Sequence, residues 1–256
     1  MHGELTLSIA TLYGFLLVLT RIAAAFVFVP IPGAKDFPDG AKIVISLALT
    51  IALFPFWPKL APASPSFGQV TAWILSEAVF GLTVGLAVAF LNESLMLAAQ
   101  ILGLQAGYSY ASTIDPTNQT DISVLQLMSQ LVAGLLFFSF GLDRVVIAIF
   151  ARSLQTYPPG TYVLNASIVE TIQRLGGAMF ATGFRLALPV VALLMLVDLA
   201  LALLGRINSQ LQLLTLAFPL KMLGALAALA AMAVLFPPVY EKAAHHSFSE
   251  LAGILR

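Results

Sequence analysis

The sequence predicts an all-α integral membrane protein built from helical hairpins, and three observations predict it. Of 256 residues, 60% are hydrophobic and only 9% are charged, against roughly 25% charged in soluble domains. The mean hydropathy is +0.97. The apolar residues gather into six long runs, about six apolar helices, separated by clusters of Pro, Gly and charged residues. No linker or low-complexity block interrupts them, so residues 1–256 read as a single integral membrane domain.

Composition also excludes function classes. Twelve basic and twelve acidic residues cancel, which argues against a nucleic-acid partner. The absence of cysteine removes disulfides and thiolate metal sites. The first residues, MHGELTLSIATLYGF, lack the basic region of a cleavable signal and are expected to stay as a retained helix.

Taken in order, residues 5–29 form a run of 25, about 37 Å as a helix at 1.5 Å per residue. Arg21 interrupts it, and Pro30, Pro32 and Gly33 end it. The second run, 43–57, is short for a span of roughly 20 residues and is closed by Pro55 and Pro58. The third, from about 70 past 99, contains Glu77, Asn92 and Glu93, and its Gly81 and Gly85 fit the small-xxx-small pattern of close helix packing. The fourth covers 124–150. The fifth, 175–204, contains Arg185, Pro189 and Asp198, with Pro189 expected to kink or interrupt it. The sixth, 211–240, contains Pro219 and Lys221 and is expected to end at Pro237-Pro238, ahead of a short interfacial or partner-facing tail helix. If all six cross, basic residues favour cytoplasmic termini by five to three.

Residues 103–125, GLQAGYSYASTIDPTNQTDISVL, stand apart as a small, polar, turn-forming stretch between two apolar runs. A membrane protein places such backbone where protein buries it, where water reaches it, or outside the bilayer. Composition leaves all three open. The charges Arg21, Glu77, Glu93, Arg185, Asp198 and Lys221 lie in or near apolar runs, and each costs about 2.5–3.5 kcal/mol at the centre of a lone helix. Two readings stand: pairing or snorkelling at run ends, or lining a polar path. Either way the sequence is built to pack into a larger helical assembly, several of its helices being broken by Pro or Gly.

The chain holds no phosphate-binding G-x-x-x-x-G-K-[ST] loop, no G-x-S-x-G and no H-E-x-x-H. Its histidines, His2, His245 and His246, lie at the chain ends. The expectation is a protein that is not an enzyme, with no cofactor and no metal.

The stretch LGLQAGYSYASTIDPTNQTDISVL resembles the signature region of the FliR family, membrane proteins of the flagellar type III export apparatus, and more distantly the SctT proteins of injectisomes. RIAAAFVFVPIPG, GLTVGLAVAF, SLQTYPPG and INSQLQLLTLAFPLKMLGAL agree in order and spacing. The resemblance implies a non-enzymatic export-gate subunit in the bacterial inner membrane, multi-pass, within the flagellar basal body. Its implied partners are FliP-like, FliQ-like and FlhB-like proteins, and unfolded flagellar export substrates pass through the assembly.

In that family the segment matching residues 107–122 plugs the pore. The resemblance therefore implies a plug of Gly107, Tyr108, Ser109, Tyr110, Ala111, Ser112, Asp115 and Pro116. For the two tyrosines, interfacial anchoring is the competing reading. Arg21, Glu93, Arg185, Asp198, Pro219 and Lys221 are the candidate intramembrane charge or assembly residues. Lys221 either caps a carbonyl freed by Pro219 or pairs with an acid of a neighbouring subunit. The alternative function is a small-solute membrane transporter or channel, whose broken helices should repeat in two halves; residues 1–125 and 126–256 show no convincing repeat. A scaffold without pore contact is the third reading.

Overall fold

The computed structural model describes residues 9–29, 39–57, 65–108, 124–162, 166–207 and 213–254, and among these the chain is all-α. The helices are α1 (Ile9–Phe26), α2 (Asp39–Ala52), α3 (Phe67–Ala106), α4 (Val124–Ser139), α5 (Leu142–Thr156), α6 (Ala166–Ile207), α7 (Leu213–Met232) and α8 (Phe236–Ile254), with a 3-10 turn at Phe54–Phe56. Three of them, α1, α3 and α6, are long and apolar enough to cross a membrane, or four spans if α4 and α5 count as one broken crossing. At 40 and 42 residues, α3 and α6 reach roughly 60 Å. That is about twice the hydrocarbon thickness of a bilayer.

Each helix follows from its pattern. Along α1 the buried residues are Gly14, Leu17, Val18, Arg21, Ile22 and Ala25, an i, i+3, i+4, i+7 stripe that turns one face inward. Gly81 and Gly85 of α3 lie directly against the carbonyl oxygens of Arg21 and Ala25. A Cβ at either glycine would collide with that backbone, so the small-xxx-small pattern is what lets α1 and α3 meet.

The structure departs from the sequence reading in three places. The fourth run is two helices, parted at Phe140 and Gly141, where Gly141 has φ +64°. An apolar count cannot see this, because a single left-handed glycine breaks the helix without adding any polarity. The fifth run is one continuous helix across Pro189 rather than an interrupted one. The sixth ends at Met232 rather than at Pro237-Pro238, and those prolines lie in the first turn of α8. A first-turn proline loses an amide hydrogen that had no helical acceptor anyway. The Val239 N–H, the first amide after them, donates to the Leu235 carbonyl at 3.3 Å.

The Cα framework forms two compact units, to which α3, α4, α6 and α8 each contribute residues on both sides of the division. The first takes residues 1–90, 137–175 and 246–256. Its core joins Leu17, Ile22, Phe80, Val84, Phe150 and Leu154, and Ala87, Leu175 and Leu251 cluster with Phe90, Ile149 and Phe248. The end of α8 is thus packed within this unit by Phe248 and Leu251.

The second unit takes residues 91–136 and 176–245. Leu91, Leu95, Leu102, Val190, Leu194 and Ala225 are buried there. The buried Tyr240 hydroxyl donates to Asn92 Oδ1 at 2.7 Å. An apolar cavity of about 270 Å³ opens between helices of this unit. The Ser129 hydroxyl in its wall donates to the Leu95 carbonyl at 3.0 Å.

Candidate functional site

The first polar centre is built on Arg21, whose side chain is fully withdrawn from the surface. Its Nε donates to Glu77 Oε2, also fully buried. Nη1 donates to Ser153 Oγ and Nη2 to the Tyr157 carbonyl, both at 3.0 Å. The other oxygen of Glu77 accepts the Gly160 N–H at 2.9 Å, and the guanidinium lies 5.0 Å from the centre of the Phe80 ring. Gly160, at φ +84°, also abuts the Trp73 indole ring. Each of the three guanidinium nitrogens therefore donates to an acceptor, and the opposing carboxylate accepts at both oxygens. A buried charge pair persists only when its remaining hydrogen-bonding capacity is met in this way. The segment SLQTYPPG supplies Ser153, Tyr157 and Gly160, so its task in the fold is to close this centre. Tyr162 stacks edge-on against Phe80 and Tyr157, and burial, with Tyr157 beside it, pushes its phenol up to about 12.

The second centre joins α3, α6 and α7. Lys221 Nζ lies 2.9 Å from Asp198 Oδ1 and 3.0 Å from Oδ2, and Gln105 Nε2 donates to Oδ2 at 3.1 Å. Lys221 is mostly covered, while the Asp198 side chain is 43% exposed. Lys221 thus pairs with an acid of its own chain. Pro219 stays inside α7 without interrupting it.

Directly after Gln105, α3 ends at a backbone cap. The Gly107 N–H donates to the Leu104 carbonyl at 3.2 Å and the Tyr108 N–H to the Gly103 carbonyl at 2.9 Å, with Gly107 at φ +86°. These 5→2 and 6→1 bonds around a left-handed glycine are a Schellman motif. The Tyr108 hydroxyl donates to the Met222 carbonyl of α7 at 3.1 Å, and burial raises its pKa. Of the predicted plug residues, Gly107 and Tyr108 are placed; Ser109, Tyr110, Ala111, Ser112, Asp115 and Pro116 lie outside the described residues.

Of the six predicted charge or assembly residues, the structure brings Asp198 and Lys221 together and buries Arg21 on Glu77. Glu93 and Arg185 are exposed and have no partner among the described residues. Gln105 carries no signal of its own in the sequence, and Ser153 and Gly160 stand out only as the two ends of the run SLQTYPPG. Glu77 was named only as one charge among six, although Gly81, one turn later, marks the close approach to α1 that brings Arg21 to it.

Comparison with known proteins finds a family and relatives that cover most of the chain. The family model described as "Bacterial export proteins, family 1" matches residues 12–247. The flagellar biosynthetic protein FliR of Escherichia coli (strain K12) is 30% identical over 238 residues, covering 93% of this chain and 89% of that protein. FliR of Pectobacterium carotovorum subsp. carotovorum is 28% identical over 236 residues, 92% of this chain and 88% of that protein. FliR of Bacillus subtilis (strain 168) is 28% identical over 210 residues, 81% of each.

Proposed function

Since the chain belongs to the FliR family of bacterial export proteins, we propose that it is a non-enzymatic subunit of the flagellar type III export gate, which helps to form and to plug the channel. Its place in flagellar export and its multi-pass membrane character follow from the family and from its long apolar helices. The finer reading puts it in the bacterial inner membrane within the basal body. There residues 1–256 act as one integral membrane domain, assembled with FliP-like, FliQ-like and FlhB-like proteins around a path for unfolded flagellar subunits.

The match across residues 12–247 carries the export assignment. Two local features support the plug. The Schellman cap at Gly107 stops a 40-residue helix at the start of the polar stretch, and the Tyr108 hydroxyl fastens that point to α7. Of the three acids Glu77, Glu93 and Asp198 in apolar runs, Glu77 and Asp198 are committed to structural pairs, an arrangement suited to holding helices together.

Two measurements test the reading. Affinity purification in mild detergent should recover FliP-like and FliQ-like partners; recovery of the chain alone overturns the assembly. Deleting residues 107–122 should raise the leak of small solutes through a complex that still assembles, and an unchanged conductance overturns the plug.

A further inference from the structure

Arg185 is the one member of the charge set that is cationic, exposed and unpaired among the described residues. It lies 10 residues into the apolar run 175–204 and 19 from its end. On a helix rising 1.5 Å per residue this is at least about 15 Å from either end of that run, and its exposed neighbours Phe184, Leu188, Leu193 and Met195 are apolar. A guanidinium so placed stands in an apolar face with no acceptor among the described residues. Pro189, four residues later, has no amide hydrogen, so the Arg185 carbonyl also lacks its helical donor. One turn of α6 thus presents an unmet cation and an unmet acceptor together.

The surroundings form a docking face. Ala181, Arg185, Leu188, Ala192, Met195 and Leu199 are all exposed at alternating spacings of four and three, the seam that packs against another helix. The opposite side of this turn is already used: Gly183 is pressed against the Ser94 carbonyl and Leu97 of α3, and Leu186, Ala187 and Val190 are buried. The acids in reach of helix packing do not serve it. Asp198 is taken by Lys221 and Gln105. Glu93, next to Ser94, makes no ion pair with it.

We infer that the Arg185 face of α6 docks a helix of another membrane subunit, and that this helix places a carboxylate against the guanidinium. The charge fixes the register of the two helices, because only one height along the seam satisfies it, and the small residues Ala181 and Ala192 let the backbones approach. The inference rests on the assembly reading above and adds the residue at which one contact is made.

The test uses the full chain expressed with the rest of its export apparatus, carrying a photo-crosslinker at Leu188. Ultraviolet light should join it to one membrane subunit. Arg185→Glu should lower co-purification of that subunit at least tenfold, while Arg185→Lys keeps most of it. Changing one intramembrane carboxylate of the captured subunit to Lys should restore recovery with Arg185→Glu. Arg185→Met, which inserts into a membrane more easily than the native residue, guards against a folding defect and should still cut the crosslink several-fold. Crosslinks to lipid alone, undiminished recovery with Arg185→Glu, or rescue of Arg185→Glu by Glu93→Arg within this chain would each overturn the inference. If the native chain is recovered with no partner at all, the assembly reading falls with it; partners retained through Arg185→Glu sink this contact alone.

Discussion

Arg21 and Glu77, 56 residues apart in sequence, meet with both side chains fully withdrawn from the surface. Ser153, the Tyr157 carbonyl and the Gly160 amide complete their shells. Removing one partner of such a pair strands the other, at about 3–5 kcal/mol. Arg21→Met and Glu77→Gln should each lower the detergent-solubilised melting temperature strongly. The Arg21→Met/Glu77→Gln double variant should lose less than the sum of the singles. A strictly additive result would show that the two side chains do not depend on each other.

The α1–α3 crossing should be as sensitive to bulk as the pair is to charge. At Gly81 any side chain strikes the Arg21 carbonyl. Overpacking of this kind costs about 1–3 kcal/mol, so Gly81→Val should be destabilised by that amount. Gly177, which has open space around it, should accept Ala with little change in the same melting assay.

The Asp198–Lys221 pair is half open to its surroundings, so its coupling is expected to be modest. Interhelical polar contacts in membranes average about 0.6 kcal/mol and reach about 1.7. A double-mutant cycle of Asp198→Asn and Lys221→Met should give a coupling in that range, and Gln105→Leu should reduce it. A coupling indistinguishable from zero would mean that the lysine is held by something other than this carboxylate.

Gly107 tests the backbone rather than a side chain. Its φ of +86° costs an L-residue about 1–2 kcal/mol. Gly107→Ala should be destabilised by that much, and Gly107→Asn by less, since asparagine tolerates the left-handed cap. Equal stability of the two variants in thermal unfolding would contradict the Schellman assignment.

The sequence made the all-α membrane class and the places of α1, α2 and α3 readable, because long apolar runs bounded by proline leave few alternatives. It misplaced helix ends where conformation, not polarity, decides them. Gly141 breaks an apolar run with a single positive φ, and Pro237-Pro238 could stop one helix or begin the next. The site was half legible. Arg21, Asp198 and Lys221 stood out as charges in apolar surroundings, yet their pairing depends on helices brought together from distant segments, which no spacing records. Gln105 and Gly160 act through an amide side chain and a backbone N–H, and such groups carry no compositional signal.

The closure of the Arg21 centre also sets an order of events at the ribosome. The chain is made from its N-terminus, so α1 is delivered with its guanidinium before any acceptor exists. Glu77 follows 56 residues later, and Ser153 and the Tyr157 carbonyl 132 and 136 residues later. More than half of the 256 residues must therefore be translated before the first helix is settled. A polypeptide truncated ahead of residue 153 holds the Arg21–Glu77 pair without the two acceptors that complete the guanidinium shell.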